Sequence, residues 1–289
     1  DRNKMVEIDA ITDPSLITTT ASTSTTTYAN KYEEAVLEKD QEHPEYKIIP
    51  IKGKTYTGYL AVIYDPSSVQ TLVTNNIKKE GQYLTDMANE AGATIAINGG
   101  VFTGIATSSE DLNRQELAYG GSGGSPMGIT IQKGEVISNT SYTGVGGVIG
   151  FTEDNALVLG KMSLKQAQKL KVRDAVTCGP FLIINGKTSK VVGNGGWGTA
   201  PRTAIGQRKD GIVLMLAIDG RRATMPGATM EDLLEIMKNY GAYNASALDG
   251  GTSTAMVENG NLVNDPINSS GEHTTRPIAT GFGAIFEDD

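Results

Sequence analysis

Histidine, cysteine and tryptophan are nearly missing from this chain: two, one and one among 289 residues. A single cysteine, Cys178, rules out an intramolecular disulfide; it leans toward a reducing setting without excluding secretion. Two histidines and one cysteine supply too few ligands for a conventional zinc site. Aromatic residues reach only 6%, and no apolar run has the length that a membrane helix requires. Basic side chains are also in deficit, 25 against 33 acidic ones, giving a net charge of −8. Without a basic stripe, a polyanion gripped through its phosphates is not the expected partner. The acidic excess speaks for solubility instead.

What the chain does have is glycine, 35 residues of it, and enough length for one sizeable core. Residues 12–27 are threonine-rich and of low complexity. Their polarity favours a solvated tether over an extended strand, although threonine suits both. Residues 1–45 therefore read as a tether and lead-in, and residues 46–289 as the folded domain. The chain begins at Asp1 with neither methionine nor leader, as a mature or excised form would.

Within the domain, Asn185-Gly186, Asp210-Gly211, Asn259-Gly260 and Lys133-Gly134 each sit between apolar residues. Such dipeptides close hairpins, so much of the sheet should be antiparallel. Helical spacing marks a helix from about 83 to 91, with Leu84, Met87, Ala88 and Ala91 inward and Gly92 as its stop. A second, capped by Thr229, carries Met230, Leu233, Leu234 and Met237 and ends at Gly241. A shorter one follows Ser163. The expected fold is α+β: a mixed, largely antiparallel sheet with packed helices in a single main domain.

The two longer helices lead into similar sequences. One gives Gly92, the strand Ile95-Ala96-Ile97, then Asn98-Gly99-Gly100. The other gives Gly241, the strand Ala245-Ser246-Ala247-Leu248, then Asp249-Gly250-Gly251. Asn98 and Asp249 are thus expected at corresponding strand ends, at the same edge of one sheet. Open sheets tend to place ligands at such ends. Gly250 and Gly251 let the backbone turn and a ligand approach. Thr252, Ser253 and Thr254 then offer hydroxyls to an oxyanion or a sugar.

Asp219 closes residues 212–218, the most apolar run of the chain and a candidate central strand. It reads either as a turn aspartate capping its own backbone or as a second carboxylate beside Asp249. Glycoside cleavage generally uses two carboxylates facing one cleft. Arg202, entering a strand after Pro201, needs an anionic partner if it points inward. That partner is either Asp219 or Asp249, in a structural ion pair, or a substrate phosphate or carboxylate. Trp197, in a glycine-rich loop, either stacks on a sugar face or plugs the core. The loop Tyr119-Gly120-Gly121-Ser122-Gly123-Gly124-Ser125 is a candidate lid. His273 lacks recognisable triad partners and reads as a surface residue; Cys178 reads as a small core side chain. An aspartic-protease reading fails, because Asp219 and Asp249 lie only a helix apart and each precedes glycine.

Several of these segments occur together in one order: Ile97-Asn98-Gly99-Gly100-Val101-Phe102, Gly179-Pro180-Phe181-Leu182, Pro201-Arg202-Thr203-Ala204-Ile205-Gly206, Asp219-Gly220-Arg221 and Leu248-Asp249-Gly250-Gly251-Thr252-Ser253-Thr254. The set resembles the phosphodiester glycosidase family over roughly residues 56–286. Arg276-Pro277-Ile278-Ala279 is similar to the family's closing motif. Departures are Thr252 where the family usually has a third glycine, Val101 in place of phenylalanine, and Ala200 in place of asparagine. The resemblance implies hydrolysis of a sugar-1-phosphodiester at the glycosidic carbon, with Asn98, Arg202, Asp219, Asp249, Ser253 and Arg276 as site residues. Arg202 and Arg276 would hold the phosphate; Asp249 would be nucleophile or base.

The expected protein is an extracellular or cell-surface hydrolase acting on a microbial glycan, held through its N-terminus. It needs no cofactor, although a divalent cation bridging carboxylates and phosphate is compatible with the set. The rival expectation is a glycan-binding protein that uses the same site without cutting.

Overall fold

The computed structural model describes residues 2–19, 27–103 and 123–288. Among them, three antiparallel sheets each turn one face toward a common apolar core. The largest has seven strands in the order Lys187–Thr188, Phe181–Ile184, Ala242–Ala247, Arg202–Arg208, Val213–Ile218, Thr57–Ile63, Tyr46–Lys52. A five-stranded sheet carries Ile95–Asn98 at its centre, between Met256–Glu258 and Thr280–Ala284. The other five-stranded sheet is built on Gly147–Thr152 and Val172–Cys178. The α+β expectation holds, with the correction that the strands divide among several sheets.

Strand alternation explains how one apolar run serves two cores. In Val213–Ile218, Val213, Met215 and Ala217 join the shared core with Ile97, Phe151 and Phe282. Leu214, Leu216 and Ile218 face the other way, onto Leu233, Ile236 and Met237 of the helix Met230–Asn239. Residues 212–218 are therefore buried on both faces, as a central strand should be.

Each sheet has its own helix outside. Leu84–Ala91 covers the sheet of Ile95–Asn98, and Leu164–Lys169 covers that of Gly147–Thr152. The expected ends are present. Thr229 accepts from the Asp232 N–H while Asp232 accepts in return, a capping box repeated by Ser163 and Gln166. Gly92 ends the first helix at φ +71°, a left-handed conformation that costs glycine little. Ala91, however, is exposed rather than inward. All four glycine dipeptides lie between antiparallel strand partners.

The N-terminal lead-in differs from the free tether expected of it. Lys4–Val6 pairs with Lys190–Val192, and the helix Lys31–Leu37 buries Val36 completely. Thr12 is 2% exposed; its hydroxyl donates to Asn244 Oδ1 at 3.2 Å and accepts from the Leu159 N–H at 3.1 Å. Polar composition alone favours solvent, but the Thr12 hydroxyl satisfies a buried backbone N–H instead. Residues 20–26, the middle of the threonine tract, lie outside the described residues. Among the described residues, no helix is long and apolar enough to cross a membrane.

Thr12→Val keeps the shape but leaves Leu159 N–H without its side-chain acceptor. It is expected to cost about 1–2 kcal/mol in urea unfolding; a free tether would give no change.

Candidate active site

Asp249 is reached from the strand Ala242–Ala247, next to Arg202–Arg208. Leu248 N–H still donates to Thr203 O at 2.8 Å, and Asp249 N–H donates to Gly99 O at 3.0 Å. Those two bonds carry the chain from one sheet to another. Asn98 locks the junction. Its Nδ2 donates to Asp249 O at 2.6 Å, while its Oδ1 accepts from Thr203 Oγ1 at 2.7 Å and Ala255 N–H at 3.2 Å. Asn98 and Asp249 do meet, but from two sheets rather than along one edge. Asn98, only 1% exposed, thereby positions Asp249.

Beyond Asp249 the turn is shaped by close approach to Pro201. A Cβ on Gly250 would stand 2.8 Å from Pro201 O, so glycine is required there. Gly251 has φ +61° and donates its N–H to the same carbonyl at 2.9 Å. The 3-10 turn Gly251–Ser253 then folds Ser253 back, and its side chain hydrogen-bonds the Asp249 carboxylate. Thr252 points elsewhere: its Oγ1 accepts from Arg221 Nη1 at 2.7 Å. Arg221 also donates to Ile267 O at 2.9 Å, so it props the turn from outside. Its signal was visible in Asp219-Gly220-Arg221, yet its φ of +61° and this contact were not.

Burial raises the Asp249 pKa from the usual 3.8 to about 6. Ser253, the Arg276 charge and the Gly250 N–H oppose that shift without cancelling it. Arg276 lies over the Phe102 ring, 4.9 Å from its centroid, so an aromatic face and a carboxylate share one guanidinium. The result is a desolvated carboxylate that changes charge at about pH 6, beside a cation and a hydroxyl.

Arg202 does not join it. Adjacent strand residues face opposite ways, and Thr203 already points to Asn98. Arg202 accordingly turns to the helix side. It donates to Ala228 O at 3.0 Å, Gly198 O at 2.9 Å and Trp197 O at 3.2 Å. Neither the ion pair with Asp219 nor that with Asp249 forms; burial alone lowers its pKa. Trp197 is 42% exposed, so it is no core plug, and Arg202 holds its backbone in place.

Asp219 ends the strand Val213–Ile218, two strands over from the one that leads to Asp249. It caps a distant segment rather than its own turn. Oδ1 accepts from Asn264 Nδ2 and Oδ2 from the Asp265 N–H, both at 3.0 Å. Asn264 in turn donates to Thr254 O at 3.2 Å and accepts from the Met256 N–H at 2.8 Å. Asp219 thus braces the far end of the Asp249 turn through Asn264. Burial raises its pKa, and those two donors oppose the rise.

Cys178 is buried in the shared core, where desolvation raises its thiol pKa, as a core side chain requires. His273 is exposed but has a partner, Asp265 Oδ1 at 2.7 Å. Among the described residues, no three His, Cys, Asp or Glu side chains gather as a metal site. Of the candidate lid, residues 119–122 lie outside the described residues. Asn98→Ala would leave Ala255 N–H and Asp249 O without partners, for an expected loss of about 2–3 kcal/mol in denaturant unfolding. An unchanged midpoint would show that the Asn98 bridge does not hold the sheets together.

The sequence profile of the phosphodiester glycosidase family matches residues 91–285, more than half of the chain. In Bacillus subtilis (strain 168), the SPbeta prophage-derived uncharacterized protein YomE is 28% identical over 155 residues. That match covers 50% of this chain but only 24% of YomE, about a quarter of its length. The catalytic domain of zebrafish N-acetylglucosamine-1-phosphodiester alpha-N-acetylglucosaminidase has a similar structure, with a TM-score of 0.66 at 20% identity over 86% of each chain. A Burkholderia pseudomallei protein designated as exported gives 0.57 at 16% identity, over 80% of this chain and 74% of that one. At such identities the structures speak for a common fold. The family match, spanning Asn98, Asp219, Asp249 and Arg276, adds that this chain belongs to the phosphodiester glycosidase family.

Proposed function

We propose that the chain hydrolyses the glycosidic bond of a sugar-1-phosphodiester, with Asp249 as the reacting carboxylate. The observation that carries this reading is the pairing of a desolvated Asp249 with Arg276 at one strand end, within a family of that activity. Ionised Asp249 either attacks the anomeric carbon, forming a glycosyl ester that water then hydrolyses to free sugar, or takes a proton from the water that attacks that carbon. The bond between that carbon and the phosphate oxygen breaks, and its electron pair leaves with the phosphomonoester. Such a leaving group needs little protonation, so a cation matters more than an acid. Arg276 stabilises the charge that grows on the phosphate. Ser253 orients the Asp249 carboxylate, and Asn98, Asp219 and Arg221 position the turn.

Two features of this scheme differ from the expectation drawn from sequence. Arg202 leaves the phosphate grip, because its side chain turns to the helix side, where Nε and Nη2 donate to backbone carbonyls. Asp219 becomes a brace instead of a second reacting carboxylate, because its two oxygens are aimed at Asn264 and the Asp265 N–H. No cofactor enters the scheme. A microbial surface glycan outside the cell is the proposed setting. It is supported by the resemblance to an exported protein.

Asp249→Asn is expected to lower kcat on a chromogenic sugar-1-phosphodiester by about 10³-fold or more. The folded-state pKa lies above the unfolded 3.8, so this group favours folding most at acid pH and loses that contribution as pH rises through about 6. The variant should therefore match wild type near pH 4 in urea unfolding and exceed it above pH 6. An active Asp249→Asn enzyme sinks the assignment; binding with no product from wild type would make the site one for holding glycans.

Because Asp249 acts ionised, kcat/KM should climb with pH to a plateau above about 6. A profile that falls over that interval would make Asp249 a general acid instead.

A further inference from the structure

Arg221 keeps more than half of its N–H groups unspent. Nη1 donates twice, to Thr252 Oγ1 at 2.7 Å and to Ile267 O at 2.9 Å. Among the described residues, Nε and Nη2 donate to nothing, and no ion pair includes this side chain. Its neighbour Arg222 differs, since Nη2 there meets Asp265 Oδ2 at 2.6 Å. Burial lowers the Arg221 pKa, so a partly desolvated cation stands without a counter-charge. Arg202 also lacks a carboxylate, but its donors are taken up by carbonyls on the helix side.

The unspent edge lies at the Asp249 turn. A Cβ on Gly251 would stand 3.2 Å from Arg221 Nη2. Apart from its chain neighbours, it would meet nothing else within 4 Å among the described residues. Nη1 meanwhile ties the guanidinium to Thr252 in that turn and to Ile267 in the segment that continues to Arg276. The free edge therefore keeps its place relative to the reacting carboxylate and to the cation beside it. Arg221 also has φ +61°, a left-handed conformation disfavoured for a residue with a Cβ. Pro226 O holds it there by accepting from the Arg221 N–H at 2.9 Å.

Nε and Nη2 point their N–H groups along one edge of a guanidinium, spaced for two oxygens of one phosphate or carboxylate. Asp249 does not answer that edge. Ser253, Arg276 and the Gly250 N–H act on its carboxylate, and Arg221 is not among them. An anion taken by Arg221 is thus a ligand's and not the protein's.

We propose that Arg221 is a second phosphate-binding residue of the site, with its Nε–Nη2 edge on two oxygens of the diester phosphate. The word phosphate rests on the hydrolase reading above; the anion site rests on the geometry of Arg221. Arg276 serves the charge that develops beside Asp249, and Arg221 holds the phosphate before and after the bond breaks. Charged diesters are thereby favoured over uncharged glycosides. Thr252, where the family usually has glycine, contributes by fixing which edge stays free.

Inorganic phosphate is titrated into isotopically labelled protein while the Arg221 Nε–H resonance is followed, with methyl glucoside as control. Phosphate should move that resonance and the glycoside should not. Arg221→Gln should weaken phosphate about ten-fold or more. It should raise KM for a chromogenic sugar-1-phosphodiester by a similar factor, with a smaller loss in kcat. Arg221→Lys keeps the charge but not the fork or the clamp, so it should recover part of the phosphate affinity. A residue that only props the turn would leave lysine no better than glutamine, with phosphate affinity following the urea midpoint. That pattern, or a resonance that phosphate does not move, overturns the proposal. Phosphate binding in the expected order, without turnover of any phosphodiester by wild type, would sink the hydrolase reading and leave the anion site standing. Turnover with a KM indifferent to Arg221 would do the reverse.

Discussion

The Asn98 side chain ties together three segments that are far apart in sequence. One amide accepts from Thr203 and Ala255 and donates to Asp249, so strands from two sheets meet at a fixed distance. Any drift between the sheets would strand buried donors and acceptors, and each such group is costly in a low-dielectric interior. The Asp249 turn inherits that rigidity. Gly250 pressed on Pro201, Ser253 folded on the carboxylate and Asn264 under Thr254 all depend on where Asp249 begins.

Such rigidity lets the fold keep a carboxylate under tension. Burial works against the charged form of Asp249, while Ser253, Arg276 and a backbone N–H work for it. The balance falls at about pH 6, well above the range of a solvated carboxylate. A fully solvated aspartate, with its ordinary pKa, would be a weaker base. The conflict between stability and reactivity is concentrated at one residue, and the polar junction around it contains the cost.

Two arginines illustrate how a face of a strand assigns a role. Arg202 sits in a motif beside Pro201, directly against the Asp249 turn, and its charge invites a phosphate. Alternation sends its side chain to the far side of the sheet, where three carbonyls of the Trp197 loop and its neighbour Ala228 take it up. Arg276 comes from the C-terminal segment, with no helix or strand of its own, and arrives over Phe102 in the field of Asp249. A guanidinium stacked on a ring is already oriented, so it loses less freedom when an anion arrives. Asp219 shows the same lesson for a carboxylate: its place at a strand end was predictable, but its donors come from residues 264 and 265.

Local physics was legible in the sequence. Helix ends followed from Thr229, Ser163 and Gly92, hairpins from four glycine dipeptides, and the doubly buried strand from residues 212–218. Asp249 also stood out, because a carboxylate between an apolar strand and two glycines is a local pattern. The place of Thr12 was not legible, since composition reports what a segment can tolerate and not the buried donor that recruits one of its hydroxyls. Pairings across the chain decided the rest: which sheet carries Asn98, which arginine faces Asp249, and what Asp219 braces. Sequence fixes periodicity and turn chemistry, which act over a few residues. Only the packing of three sheets sets burial, field and facing, because those arise from groups more than a hundred residues apart in the chain.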